Sequence, residues 1–314
     1  MIRRIGARAL VFVASALVAS VLIFLVLAVL PGDPARVALG FGATDQSVAA
    51  LRTDMGLDRP LVTQYLSWIG GVLHGDFGRS FSSKLPIGPI LFDRFTVTLW
   101  LVLGGMVVAL VIAVPLGVLA AVRHRKLSGT LISGVSQVGV AVPAFLAGML
   151  LIALVALRWN WLPANGYLVP ATDPVGFVKH MILPWLSLGL VQGAVLTRYV
   201  RSAVLDEMGQ DYLRTARSKG LRPLQALWRH GLRNASIPVV TVLGVQLVTL
   251  MIGAVVIERV FVIPGVGSML TDAVSNRDLI TVQGIVLVLV LFALVVSFLV
   301  DVGYTLIDPR LRAR

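Results

Sequence analysis

The chain has 314 residues, of which 57% are hydrophobic and only 13% charged, with a mean hydropathy of +0.91. Soluble domains carry about 25% charged residues, so this composition excludes a soluble globular protein and leaves an integral membrane protein. The absence of cysteine excludes disulfides and thiolate metal sites, and the net charge of +12 requires an explanation.

Six apolar stretches are long enough to cross the hydrocarbon core, which takes roughly 20 helical residues. They run at about Ala9–Leu30, Phe95–Val122, Leu131–Leu157, Met181–Val200, Ile237–Ile257 and Thr281–Leu306. None shows the alternation of a barrel strand, so each is expected to be one helix. The expected fold is an all-α integral membrane protein with six transmembrane helices and an extracytoplasmic helical segment after the first. Arg3, Arg4 and Arg8 before the first stretch resemble the start of a signal peptide. The apolar run is too long for that and lacks a clear cleavage site, so it reads as an uncleaved span.

The next segment, about residues 31–94, opens with PGDP and reads as two short helices. Asp45 is placed to cap the first, with Val48, Leu51 and Met55 on one face and Gly56 at its end. Pro60 suits the first turn of the second, with Leu61, Tyr65, Trp68, Ile69 and Val72 at helical spacing. These faces suit a lid packed on the spans or a docking surface for an external protein, and the two are compatible.

Within the later spans, uncharged polar residues stand at Ser133, Ser136 and Gln137, at Gln192, and at Gln246 and Thr249. Ser136, Gln137, Gln192, Gln246 and Thr249 are candidates to line a translocation path; tying helices together is the competing role. Gly189 and Gly193 form a G-x-x-x-G that permits close helix approach. Ionisable residues that would mark an ion-coupled path are scarce: Glu258, Arg259 and Asp301 lie toward span ends, where interfacial anchoring or ion pairing suffices.

The segment DYLRTARSKGLRPLQALWRHGLRNASIP, Asp211–Pro238, is strongly basic and helix-prone. Gly220 is a plausible helix stop after Tyr212, Thr215, Ala216 and Lys219. Pro223 can start a second helix with an apolar face of Leu224, Leu227, Trp228 and Leu232. A short helix lying along the membrane and stopped by Gly is a rigid knob that can transmit movement from a soluble engine. An amphipathic helix resting on anionic headgroups is the other reading.

Charge orients the chain. With the N-terminus inside, the inner segments hold 17 bases against 5 acids, while the outer segments hold 10 of each. The excess lies on one side, as the positive-inside rule requires, so nucleic-acid binding need not be invoked. Several chemistries have no residues to carry them. No lysine follows a glycine, so no P-loop exists; His74, His124, His180 and His230 are scattered, and no Ser–His–acid spacing suggests a hydrolase.

The motifs PGDP, LRTDMGLDRPLVTQYLSWIGGVLHGDFGRSF, VPAFLAGMLLI, LPANGY, HMILPWLSL, DYLRTARSKG, RHGLRNASIP, ERVFVIPGVGSML and YTLIDPRLR together resemble one family across essentially the whole chain. That family is the membrane-spanning permease subunits of bacterial ABC importers, of the dipeptide/oligopeptide/nickel type. The general signature E-A-A-x-x-x-G is matched only at Ala216 and Gly220, since Arg214 and Thr215 hold its first two places. Pro238 stands further from Gly220 than in the general pattern.

The resemblance implies a type I importer permease fold in a bacterial cell membrane, multi-pass, with both termini cytoplasmic. It divides the chain into residues 1–30 (N-terminus and first helix), an extracytoplasmic segment 31–94, and a permease core 95–314 with a cytoplasmic coupling loop 201–236. It implies that Asp211, Tyr212, Thr215, Ala216, Lys219, Gly220 and Leu221 dock on an ATPase. Its implied partners are a second homologous permease, two ATPase subunits that use ATP and Mg, a solute-binding protein, membrane lipid and a short peptide as substrate. The chain itself would bind no cofactor and catalyse nothing. Nickel, glutathione or another small solute are alternative cargoes, and a stand-alone secondary carrier is the alternative class.

Overall fold

The computed structural model describes residues 2–29, 34–39 and 42–307. Residues 31–33 of PGDP, and the tail bases Arg310, Arg312 and Arg314, lie outside the described residues. Helices account for nearly all of what is described: α1 (Ile2–Val29), α2 (Pro34–Leu39), α3 (Asp45–Asp54), α4 (Leu61–Leu73), α5 (Ile87–Val122), α6 (Leu127–Ala141), α7 (Ala144–Leu151), α8 (Pro174–Met208), α9 (Asp211–Ser218), α10 (Pro223–Ala226), α11 (Leu232–Val260), α12 (Val266–Ser275) and α13 (Leu279–Ile307). Wider π-helical turns continue α7 over Ile152–Arg158 and join α10 to α11 over Leu227–Gly231. The chain is an all-α membrane protein.

Five helical stretches are long and apolar enough to span a bilayer: Gly6–Val29, Ile87–Val122, Pro174–Met208, Leu224–Val260 and Leu279–Gly303. The sixth expected span departs from a single helix. Leu127–Ala141 and Ala144–Arg158 meet at a bend of 96°. The cause is local: Val142 is extended (φ −83°, ψ 121°) before Pro143, because proline disfavours helical geometry in the residue before it. The same residue type stands inside unbroken helices at Pro115, Pro184 and Pro238.

The chain divides into two units. One comprises Thr98–Pro264 with the chain from Leu299, and the other Ile2–Val97 with Gly265–Phe298. In the first, α8 is the central element, packed against α6, α7 and α11. Close approach to α5 rests on small residues. A Cβ added to Gly189 would lie 2.4 Å from the Val108 side chain, as the G-x-x-x-G leads one to expect. Glu258, expected at a span end, is fully buried, and its carboxylate accepts a hydrogen bond from Thr98 Oγ1 at 2.6 Å. Trp159 and Trp161, with ring centroids 4.8 Å apart and both exposed, suit a membrane–water boundary.

In the second unit, Phe77, Ile87, Leu91, Val266 and Ile285 form the core. Helix α4 lies on α1: Tyr65 and Trp68 pack on Phe24, and Tyr65 Oη hydrogen-bonds Ser20 Oγ at 2.8 Å. This is the lid-like packing of the two readings given to this segment. The caps differ from expectation. Thr44 rather than Asp45 caps α3, accepting from the Ser47 amide, because a cap residue must precede the first helical turn. Pro60 stands at the N-cap of α4, not within its first turn. A further short helix, α2, precedes the two expected. Buried Asp278 accepts from the Thr281 amide and hydroxyl and from Ser80 Oγ, tying the start of α13 to the turn at Ser80.

Candidate functional site

Helix α9 forms a stub on the first unit, anchored on one side and open on the other. The anchor is Leu213, 2% exposed, in a cluster with Val118, Ala121, Val200, Val204, Ala226, Leu227 and Ala235. Ala216 and Leu221, half-buried, pack against it. Full burial of a leucine side chain contributes about 1.5–3 kcal/mol, enough to hold so short a helix where its own propensity cannot. The outward face carries Asp211, Arg214, Thr215, Ser218 and Lys219, all exposed. Arg214 and Asp211 pair at 3.3 Å in solvent, a contact of small energetic weight. The open face is therefore polar and basic.

Its end is built on glycine. Gly220 has φ +93°, and its amide donates to the Arg217 carbonyl while the Leu221 amide donates to the Ala216 carbonyl. This Schellman closure satisfies the last carbonyls and needs the left-handed conformation that glycine adopts freely. A Cβ at Gly220 would meet nothing within 4 Å, so the requirement there is one of backbone conformation and not of space.

The base of α9 is clamped by three side chains from three elements. Tyr212 Oη donates to Glu207 Oε1 near the end of α8. Asn234 Nδ2 of α11 donates to Glu207 Oε1 at 3.3 Å and to Tyr212 Oη at 3.2 Å. Burial, reinforced by the hydrogen bond to the Glu207 carboxylate, pushes the Tyr212 phenol up to about 12. Sequence reasoning named Tyr212 but missed Glu207 and Asn234, whose separation in the chain left no spacing signal. It also made Pro223 the start of a second helix. Pro223 does start helical structure, but the helix runs on without interruption into α11, because the turn over Leu227–Gly231 widens instead of stopping. The supposed apolar face is split accordingly: Leu227 is buried, whereas Leu224 and Trp228 are exposed.

The candidate path residues separate into groups. Ser136 and Gln137 share a cavity of about 190 Å³ with Ser133, Val140, Ala194, Thr197, Arg198 and Arg201. Gln192 and Gln246 are buried, and Gln192 Nε2 finds no acceptor among the described residues. Thr249 is exposed on α11 and donates to the Val245 carbonyl. Arg198 and Arg201 are two of the 17 bases assigned to the inner segments. Helix α8 in fact continues to Met208, so both stand within it. Arg201 Nε is buried with no acceptor among the described residues, a condition that costs about 1–3 kcal/mol, more for a charged group. A polar pair facing two bases on a helix that outlasts its apolar run was the available signal.

A family model described as binding-protein-dependent transport system inner membrane component matches residues 113–313, and a model of the N-terminal part of such components matches residues 1–102. The dipeptide transport system permease protein DppB of Escherichia coli (strain K12) is 38% identical over 317 residues, covering 93% of this chain and 94% of that protein. The glutathione transport system permease protein GsiC of Salmonella typhimurium is 38% identical over 312 residues, covering 99% of each. Among solved structures, a chain of the MetNI methionine ABC transporter in an inward-facing conformation aligns with TM-score 0.56 at 18% identity, covering 70% of this chain and 96% of that one. At that identity the likeness is one of fold.

Proposed function

This chain belongs to the family of binding-protein-dependent transport system inner membrane components, the permease subunits of ABC importers, and on that premise we propose that it forms half of a path for short peptides. Its partners in this reading are a second homologous permease, two ATPase subunits that bind ATP and Mg, and an extracytoplasmic solute-binding protein. The chain, a multi-pass inner-membrane protein, has no P-loop and takes no part in hydrolysis. Both termini and the coupling loop, residues 201–236, face the cytoplasm, and residues 31–94 face outward.

The observation that carries the reading is α9: an apolar anchor at Leu213, a clamp at Tyr212, a glycine stop at Gly220 and a polar outward face. A surface so held moves as one piece with the inner ends of α8 and α11. We assign Asp211, Thr215 and Lys219 to direct contact with an ATPase, and Tyr212, Ala216, Gly220 and Leu221 to holding the contact surface in place. ATP-driven closure of the ATPase pair would then shut the inner mouth and open the outer one, biasing two conformations by ligand binding to one of them. Ser136, Gln137, Gln192, Gln246 and Thr249 are the path candidates. Dipeptide and glutathione permeases are equally similar to the chain, and both cargoes are small peptides bearing free carboxylates.

The test is reconstitution in proteoliposomes with one component omitted at a time while labelled dipeptide and glutathione are followed. Accumulation only by the complete complex, with ATP inside, supports the proposal. Accumulation by this chain alone under a pH gradient would make it a secondary carrier. Uptake by the complex of a nickel chelate and of neither peptide would discard the cargo.

A further inference from the structure

We propose that the cavity between α6 and α8 is an anion site that takes the terminal carboxylate of the transported peptide; this rests on the peptide-importer reading and assigns it a residue-level contact. The lining is Ser133, Ser136, Gln137 and Val140 of α6 against Ala194, Thr197, Arg198 and Arg201 of α8. It holds two guanidinium groups and no carboxylate, so its sign is positive. Arg198 and Arg201 are three residues apart on one helix and therefore project along one face.

The hydroxyls in the lining are already committed as donors. Ser133 Oγ donates to the Gly129 carbonyl at 2.9 Å, Ser136 Oγ to the Ile132 carbonyl at 2.9 Å, and Thr197 Oγ1 to the Gly193 carbonyl at 2.7 Å. The donors left to a ligand are the arginines and the Gln137 amide. Arg201 Nε is a buried donor with no acceptor among the described residues. The Arg198 guanidinium rests over the Tyr199 ring at 5.5 Å, which restrains it without using its N–H groups. A planar guanidinium with free N–H groups matches the two oxygens of a carboxylate. Val140 and Ala194 give the rest of the cavity an apolar wall.

Position fits passage. At 1.5 Å per residue, Ser133 lies roughly 10 Å from the start of α6 and Arg201 roughly 10 Å from the end of α8. The cavity is thus set back from both helix ends, where the apolar run of α8 gives way to its polar last turns. A volume of about 190 Å³ admits the end of a peptide and not a long chain.

The experiment uses the assembled complex in phosphatidylcholine nanodiscs without the binding protein, with saturation-transfer NMR of dialanine, dialanine amide and acetate. Dialanine should bind at least about tenfold better than its amide, since the amide lacks the negative charge and the second acceptor oxygen of the bidentate pair. Arg201→Gln should reduce dialanine to the level of the amide. Arg201→Lys keeps the charge but loses Nε and the planar fork, so it should fall between. Co-purification of the ATPase subunits establishes that each variant is assembled, and Arg201→Lys carries the test alone where Arg201→Gln is not. Equal binding of acid and amide, or a dialanine signal indifferent to both variants in a complex that still imports dialanine, overturns the inference and leaves the importer intact. Acetate binding through Arg201 with no dialanine binding removes the peptide cargo and leaves an anion site. In discs containing phosphatidylglycerol, that lipid bound in the wild type, released by Arg201→Gln and not displaced by dialanine, would make the cavity a lipid-phosphate site and overturn the proposal.

Discussion

Tyr212 of α9 donates its hydroxyl hydrogen to the Glu207 carboxylate near the end of α8, and Asn234 of α11 reaches both. The three groups fix the base of a short exposed helix against two long ones. Tyr212→Phe keeps the ring and removes the hydroxyl. Because the site is partly exposed, water replaces much of what is lost, and the stability cost should be about 0.5–1.5 kcal/mol. The larger effect should fall on coupling. In the reconstituted importer, the solute taken up per ATP hydrolysed should drop severalfold while the subunits still co-purify; an unchanged ratio would remove Tyr212 from the coupling device.

The same contact has a pH signature. The Tyr212 phenol is raised from 10.0 to about 12, chiefly by burial and then by the Glu207 carboxylate. A raised pKa means that the folded state favours the protonated phenol. Its stabilisation is complete below pH 10, the unfolded value, and is lost as pH rises toward 12. Alkaline titration of phenolate absorbance should show a late-ionising tyrosine that disappears in Tyr212→Phe. If the variant loses a tyrosine that ionises in the ordinary range, the clamp is open in solution.

Gly220 offers a test that separates conformation from crowding. Its φ is +93°, and an added Cβ meets no atom within 4 Å. Gly220→Asn should be tolerated best, since asparagine visits left-handed geometry. Gly220→Ala should cost about 1–2 kcal/mol in the local closure, and Gly220→Val more. Solute-stimulated ATPase activity should decline in that order. Wild-type activity in Gly220→Val would mean that the helix end takes no part in transmission.

The spans were legible because each needs only a long apolar run, and Gly220 was legible because a left-handed helix stop has a residue-level signature. The break at Pro143 was not. Pro115, Pro184 and Pro238 sit inside helices that continue, so a proline alone does not decide between kink and rupture. What differs at Pro143 is the residue before it: Val142 is extended and ends α6, whereas the backbone stays helical through the other three. The clamp was illegible for another reason: Asn234 is 27 residues from Glu207 and 22 from Tyr212, and only the packing of α9 brings them together. The apolar run Met181–Val200 marks only part of α8, which begins at Pro174 and continues to Met208 with Arg201 inside it.

Glu258 is a buried carboxylate that the Thr98 hydroxyl serves at 2.6 Å. Thr98→Val preserves shape and removes that donor, which leaves the acid less well satisfied at a cost of about 1–3 kcal/mol. Glu258→Gln in the same background removes the charge and should recover part of the loss. A double-mutant cycle on thermal stability in detergent measures the coupling. Additive losses would show that the hydroxyl does not serve the carboxylate.

Orientation rests on charge and is open to direct test. With the N-terminus inside, the excess of 17 bases over 5 acids falls on one face, and the other face carries 10 of each. In that arrangement the turn Arg123–Lys126 between α5 and α6, and the stub α9, are both expected on the basic face. The segment that holds α2, α3 and α4 belongs to the balanced one. The break at Pro143 adds a condition, because a helix pair bent by 96° need not carry the chain across. If it does not, the parity of every later element reverses relative to α6, and α9 would face the side opposite the Arg123–Lys126 turn. Reporter fusions at Ala43, His124 and Ser218 therefore form one experiment. The expected result is outside, inside, inside. Ala43 and His124 on the same side would overturn the topology, and Ser218 on the side of Ala43 would make the bent pair a re-entrant loop and remove α9 from reach of a cytoplasmic ATPase.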